Sequence, residues 1–241
     1  MLSRRHFLTS LALAAMMASS PVFPFTAAAD GEPEGLLPGS AASAIYGFNQ
    51  LAALDGDTTL VFDYRLDGDA IAPPFTDRIV LNFSRQGVGK EDGGATFSVD
   101  GTMFARTRKQ TIPSISASRV NPILLIFLQH DVAQMNGNTG GSGGYFRNAI
   151  RRALGAPGEG KTEVATVTFG GRSIPAKLIT LRPFENEANE QRMPSLARKI
   201  YRIMVSEEVP GGIYEIQTEV PGENGQAVLL RETYRFKEAL Q

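Results

Sequence analysis

The sequence predicts a mainly β protein with an α-helical insertion, built as a strongly curved antiparallel sheet. Apolar residues alternate with polar ones in about nine segments, which is the period of a half-buried strand. Short turns rich in glycine and proline separate most of them, as in an antiparallel sheet. Residues 121–155 instead show helical periodicity. Because a large antiparallel sheet must curl to bury its apolar face, we expect an open or half β-barrel with the two inserted helices on its concave side.

The first 29 residues have the features of an export leader. Arg4 and Arg5 precede Phe7, an apolar stretch follows at residues 11–17, and three alanines at residues 27–29 offer a cleavage site. This segment resembles a twin-arginine (Tat-type) signal peptide. The resemblance implies recognition by the twin-arginine translocase and folded export to the bacterial periplasm. Residues 30–40 are predicted to be a linker, and residues 41–241 a single β-rich domain.

The first half of this domain is predicted to hold one helix and four strands. Apolar residues at spacings of three and four indicate a helix over residues 41–54. Strands are predicted at residues 59–66 and 79–83, and a third near residues 97–99 should meet a return strand through an Asp100-Gly101 hairpin turn.

Two helices and five strands are predicted to follow. Asn121 and Pro122 suit the start of a helix that ends at Gly137, and a second helix should cover residues 145–154. The predicted strands are residues 164–169, 174–181, 199–205, 213–220 and 227–236.

Composition excludes several kinds of chemistry. The chain has no cysteine, which removes disulfides, thiolate metal ligands and a thiol nucleophile. Without the leader its one histidine is His130, so a site of two or three histidines cannot form in one subunit. With 24 basic and 25 acidic residues, nucleic-acid binding has no electrostatic motive. We therefore expect no metal, no cofactor and no nucleic-acid partner. The apolar run at residues 123–128 is too short to span a membrane.

Other motifs have simpler interpretations. Residues 140–144 match G-x-S-x-G around Ser142, but a serine nucleophile elbow follows a strand, and here a helix precedes it. The same loop could be an anion cradle with Arg147, or a hinge between the helices. His130 and Asp131 are expected to be structural or exposed, and no catalytic residue is assigned. The Asp-Gly-Asp sequences at residues 55–57 and 67–69 are predicted turns rather than calcium ligands.

The element order resembles that of the LolA-like periplasmic lipoprotein carriers and related envelope lipid-binding proteins. Together with the leader, the strand count and the apolar helical insertion, this resemblance favours a non-enzymatic periplasmic protein that binds a lipid, a lipoprotein or another apolar ligand. An envelope assembly factor that holds a protein partner is the alternative, and a serine hydrolase using Ser142 is a third hypothesis. The residues predicted to line the ligand cavity are Phe62, Tyr64, Leu124, Phe127, Leu128, Phe146 and Arg147.

Overall fold

A computed structural model of the chain describes residues 36–88, 94–222 and 227–241. The predicted leader and residues 30–35 of the predicted linker lie outside these ranges. The helices are α1 (Ala41–Tyr46), α2 (Ile123–Thr139), α3 (Gly143–Gly155), α4 (Glu187–Arg192) and α5 (Pro194–Ala197). The strands are β1 (Thr58–Asp67), β2 (Phe75–Val88), β3 (Ala95–Met103), β4 (Gln110–Ser118), β5 (Gly160–Phe169), β6 (Arg172–Leu181), β7 (Ile200–Val205), β8 (Ile213–Pro221) and β9 (Val228–Leu240).

All nine described strands belong to one antiparallel sheet. Its order is β4-β3-β2-β1-β9-β8-β7-β6-β5, so the sheet is unclosed and β4 and β5 are its edges. Every neighbouring pair is consecutive in the chain except β1 and β9, whose register pairs Phe62 with Phe236 and Tyr64 with Tyr234. The predicted fold class, with its helical insertion between four strands and five, is confirmed.

The sheet is strongly curved. Phe169 at the end of β5 lies four strand positions from β9, which would be about 19 Å in a flat sheet at a spacing of 4.8 Å. Its ring is nevertheless 5.7 Å from that of Phe236 in β9. The hydroxyl of Tyr214 in β8 also donates to the carbonyl of Thr168 at 3.3 Å. The β5–β6 hairpin tip therefore folds back over the sheet.

One face of the sheet, here called the inner face, carries the core. On β1 it presents Leu60, Phe62 and Tyr64, all buried, and the antiparallel register continues the same face across β9. Helix α2 packs on this face, where the ring of Phe127 lies 5.2 Å from that of Tyr234 and 6.2 Å from that of Tyr201. The inserted helices thus form a layer that covers the concave side.

The Asp100-Gly101 hairpin predicted from the sequence is wrong. Both residues lie inside β3, where Asp100 pairs with Asn82 and Gly101 with Leu81. A Cβ on Gly101 would sit 2.2 Å from the carbonyl oxygen of Val80. Glycine is required here by the close approach of a backbone rather than by a turn.

Two predicted helix ends also differ. Helix α1 ends at Tyr46 rather than near residue 54, and the Gln50 side chain donates to the carbonyl of Ile45 at 2.9 Å instead of continuing the helix. Helix α2 runs through Gly137 because the left-handed terminal conformation is taken by Gly140, at φ 66°, whose N–H donates to the carbonyl of Asn136.

Candidate functional site

Helix α2 carries polar side chains into the core. The buried residues of α2 lie on more than one side of the helix, and Asp131 is one of them. One turn of the helix therefore places polar groups against the inner face. His130 and Gln134, and Asp131 and Met135, are spaced by four residues and therefore form neighbouring pairs along the helix. Asp131 is buried, and the His130 side chain is 21% exposed. This turn is the centre of the only histidine-containing polar cluster in the described part of the chain.

Asp131 forms a buried ion pair with the sheet. Lys199, the residue before β7, donates from Nζ to Asp131 Oδ1, and the two side chains are 7% and 1% exposed. The hydroxyl of Tyr201 donates to Asp131 Oδ2 at 2.6 Å. Burial, reinforced by the Asp131 carboxylate, raises the pKa of Tyr201 well above 10. The phenol therefore stays protonated and acts as a hydrogen-bond donor.

Glu232 of β9 is the centre of a second buried cluster. Its Oε1 accepts from the hydroxyls of Tyr64 at 2.9 Å and Tyr234 at 3.1 Å, and from the Gln134 amide at 3.5 Å. His130 Nε2 lies 3.4 Å from the same oxygen. Burial is the largest cause that raises the pKa values of Tyr64 and Tyr234 well above 10, and the Glu232 carboxylate adds to it.

Aromatic rings enclose this second cluster. The rings of Tyr64 and Tyr234 are 5.2 Å apart, and the ring of Phe104 lies 4.9 Å from that of Tyr64. Phe104 also packs edge-on at 5.5 Å against the His130 imidazole. The Glu232 carboxylate is thus held in an apolar surround, where an unpaired charge is costly and each hydrogen bond matters more than in water.

The sequence singles out His130 and Asp131 as structural or exposed residues, but not the sheet residues that meet them. Lys199, Tyr201 and Glu232 were missed, although a signal was present. Glu232 alternates with two buried aromatic residues, Tyr234 and Phe236, so the period of two places it on the same inner face. The same alternation places Lys199 on the side of Tyr201.

The residues predicted to line a ligand cavity divide into two groups. Phe62, Leu124, Phe127 and Phe146 are fully buried in the hydrophobic core, and Tyr64 is buried as a hydrogen-bond donor to Glu232. Leu128 is half-buried and Arg147 is exposed. The rings of Tyr64 and Phe127 each lie 5.2 Å from that of Tyr234, whereas Phe146 packs against Phe184.

The glycine-rich loop joins α2 to α3 as a tight connection. Gly140 takes a left-handed conformation, and a Cβ on Gly141 would sit 2.7 Å from the ring of Phe146. Ser142 is exposed at the start of α3, and its side chain makes no capping hydrogen bond. A helix precedes this serine, as the sequence indicated, so the strand-to-helix context of a nucleophile elbow is not met.

The outer face of β5–β7 has an open groove of about 1000 Å³. Its charged side chains are of both signs, and ion pairs join Lys161 to Glu163 at 2.8 Å and Arg202 to Glu219 at 3.3 Å. Within the described ranges, no group of three or more His, Asp or Glu side chains is placed to hold a metal ion. Among the helices described, none has the length and apolar character to cross a membrane.

Comparison with known proteins gives distant structural likenesses. No protein-family profile and no curated protein matches the chain. The lipoprotein LppX of Mycobacterium tuberculosis is a structural neighbour at 11% identity and a TM-score of 0.32, over 83% of this chain and 97% of LppX. A LolA superfamily protein of Nitrosomonas europaea matches at 8% identity and a TM-score of 0.22, over 83% of this chain and 92% of that one. Because both scores are low, the function of the protein has to be inferred from its own residues.

Proposed function

We propose that the protein is an exported, periplasmic envelope protein that binds a lipid, a lipoprotein acyl chain or another apolar ligand on the inner face of its sheet. The observation that carries the proposal is the inner face itself. Its aromatic and aliphatic side chains belong to an unclosed sheet, and a separate helical layer covers them. When α2 and α3 move away, this surface becomes a concave apolar wall.

The free-energy cost of exposing the inner face favours a movement that is coupled to ligand binding. Exposing one large apolar side chain costs about 1.5–3 kcal/mol, so the uncovered wall would need an apolar occupant. Of the predicted ligand-lining residues, Phe62 and Tyr64 belong to this wall. Leu124, Phe127, Leu128, Phe146 and Arg147 belong to the helical layer, and would contact the ligand from the other side.

A single engineered tryptophan provides a direct test, because the chain has none. Phe62→Trp places the fluorophore on the inner wall, and Val164→Trp, at a site that is 95% exposed, is the matched control. Both variants are incubated with phospholipid brominated on the acyl chain and re-isolated from free lipid. We expect quenching for Phe62→Trp alone, with far-UV circular dichroism unchanged. Equal quenching in both variants, or in neither, would contradict the proposal.

One observation favours the alternative of a protein partner. Val164 is almost fully exposed in the middle of the edge strand β5, where a strand of another chain could add to the sheet. Purification from periplasm followed by native mass spectrometry distinguishes the two. A lipid adduct supports the carrier function, and a stoichiometric protein without lipid supports the assembly factor.

A further inference from the structure

Two consecutive residues of α2 contact two side chains of the inner wall that carry opposite charges. His130 Nε2 lies 3.4 Å from the Glu232 carboxylate, and the next residue, Asp131, accepts from the Lys199 ammonium. The helix therefore presents an imidazole and a carboxylate, on consecutive residues, to an anion and a cation on the sheet.

The two wall charges lie on nearby strands and meet the same turn of α2. Glu232 in β9 and Tyr201 in β7 both pair with Thr218 of β8, so one strand separates Glu232 from the strand that Lys199 precedes. Two strand spacings are about 10 Å between backbones. From these two strands, Glu232 reaches His130 and Lys199 reaches Asp131.

The hydrogen bonds that Glu232 accepts come from neutral groups, namely the hydroxyls of Tyr64 and Tyr234 and the Gln134 amide, and Lys199 is engaged by Asp131. All of these contacts are made to Oε1 of Glu232, and none of them uses the lone pairs of Oε2. A full positive charge from a ligand would complete the set.

We propose that Glu232 and Lys199 form a head-group site for a zwitterionic phospholipid, with a primary ammonium on Glu232 and the adjoining phosphate on Lys199. This inference rests on the proposed function, because the pair becomes accessible only when α2 leaves the inner face. In the present structure His130 and Asp131 occupy the positions of the ammonium and the phosphate. The ligand class is phosphoethanolamine, in which two carbons separate the amine from the phosphate oxygen.

The surrounding residues distinguish this head group from others. Tyr64 and Tyr234 belong to the sheet, so they keep hold of Glu232 Oε1 when the helix moves. A quaternary ammonium has no N–H to donate to Oε2, and a glycerol head group leaves the buried carboxylate without a cation. Acyl chains would lie along the same face against Phe62 and Phe236, whose rings are 5.7 Å apart. Ethanolamine lipids should therefore bind more tightly than choline or glycerol lipids with the same chains.

In the test, the mature protein is incubated separately with three vesicle preparations of dioleoyl lipids. These are phosphatidylethanolamine mixed with phosphatidylcholine, phosphatidylcholine alone, and phosphatidylglycerol mixed with phosphatidylcholine. Lipid carried by the re-isolated protein is quantified by mass spectrometry. We expect enrichment of the ethanolamine lipid by about tenfold over the other two, the size of one charge-assisted hydrogen bond. Glu232→Gln should abolish the enrichment while total lipid remains bound. Glu219→Gln, which removes a carboxylate from the outer face, should preserve it.

The outcomes separate the head-group site from the proposed function. Equal binding of all three lipids, or unchanged enrichment in a folded Glu232→Gln variant, overturns the head-group site but leaves the proposed function standing. If Glu232→Gln does not fold, Glu232→Met combined with Tyr64→Phe and Tyr234→Phe, which removes the carboxylate together with the two hydroxyls that donate to it, replaces it and must lose the same enrichment. Soluble phosphoethanolamine is a separate arm: its binding without any lipid uptake supports the site as one for the free head group and contradicts the lipid carrier. Binding of neither lipid nor phosphoethanolamine overturns both.

Discussion

Removing the Lys199 ammonium should destabilise the fold more than any surface charge change. Lys199→Met keeps most of the length of the side chain but leaves the Asp131 carboxylate, 1% exposed, with only the Tyr201 hydroxyl and the weak contacts of its surround. Breaking a buried ion pair in this way costs about 3–5 kcal/mol. Since a domain is stable by about 5–15 kcal/mol in total, the variant should lose a large share of its stability.

A second variant separates the ion pair from the volume of its side chains. Asp131→Leu combined with Lys199→Met replaces both charges by apolar groups, so it should recover most of this loss and fall short of the native protein only by the roughly 1–3 kcal/mol of the Tyr201 hydroxyl, which loses its acceptor. Equilibrium urea unfolding at neutral pH measures all of these free energies. Lys161→Met is the control, because its ion pair with Glu163 is exposed and contributes at most about 1 kcal/mol. The reasoning is refuted if Lys199→Met costs no more than Lys161→Met, or if the double variant is no better than Lys199→Met.

Three further measurements test other parts of the structure. Burial raises the pKa of Asp77, but hydrogen bonds from the Thr107 hydroxyl and from three backbone N–H groups outweigh it, so its pKa is lowered from 3.8. The stability that this carboxylate contributes is therefore present above pH 3.8 and is lost as the pH falls through the lower folded-state pKa. Asp77→Asn should lower the free energy of unfolding in urea by about 2 kcal/mol at neutral pH, and its stability should fall less in acid than that of the native protein. Gly101→Ala should destabilise the protein by about 1–3 kcal/mol, the cost of a steric clash in a packed core. Gly87→Ala, whose Cβ has open space, should leave the free energy of unfolding close to that of the native protein in the same assay. Four of the six tyrosines have raised pKa values, so absorbance at alkaline pH should show these four ionising only on unfolding. The stability that the protonated phenols contribute is present below about pH 10 and falls as the pH rises, and early ionisation of all six tyrosines would contradict the burial of the four.

The sequence predicted the element order because alternation and helical periodicity are local and strong. Its errors occurred where a distant partner decides the outcome. Asp100-Gly101 has the chemistry of a hairpin turn, yet the backbone of β2 approaches it so closely that glycine is needed within a strand. The sequence predicts the end of α2 at Gly137, but several nearby glycines can take the left-handed conformation, and in the structure Gly140 takes it.

The candidate site could be predicted only in part for a similar reason. His130 and Asp131 are adjacent in the chain, but their partners Glu232 and Lys199 are about 100 and 68 residues away, and no local pattern links them. Alternation identifies the face on which each residue lies. It does not identify which inward side chain of one strand meets which turn of a helix, because that depends on how far the sheet curls.

The pairing of β1 with β9 has a consequence for how the chain folds. These strands are at opposite ends of the described sequence, and yet they are central neighbours, bonding residues 59–67 to residues 231–240. Until β1 and β9 pair, the sheet consists of two unconnected halves, each with an unpaired strand edge where the middle of the sheet will form. Closing so long a loop is slow, and β9 is synthesised well after β1, so the cooperative step of folding cannot precede the synthesis of β9. During that interval both halves expose unpaired strand edges, and the chain should depend on chaperones more than a protein of the same size with local pairings.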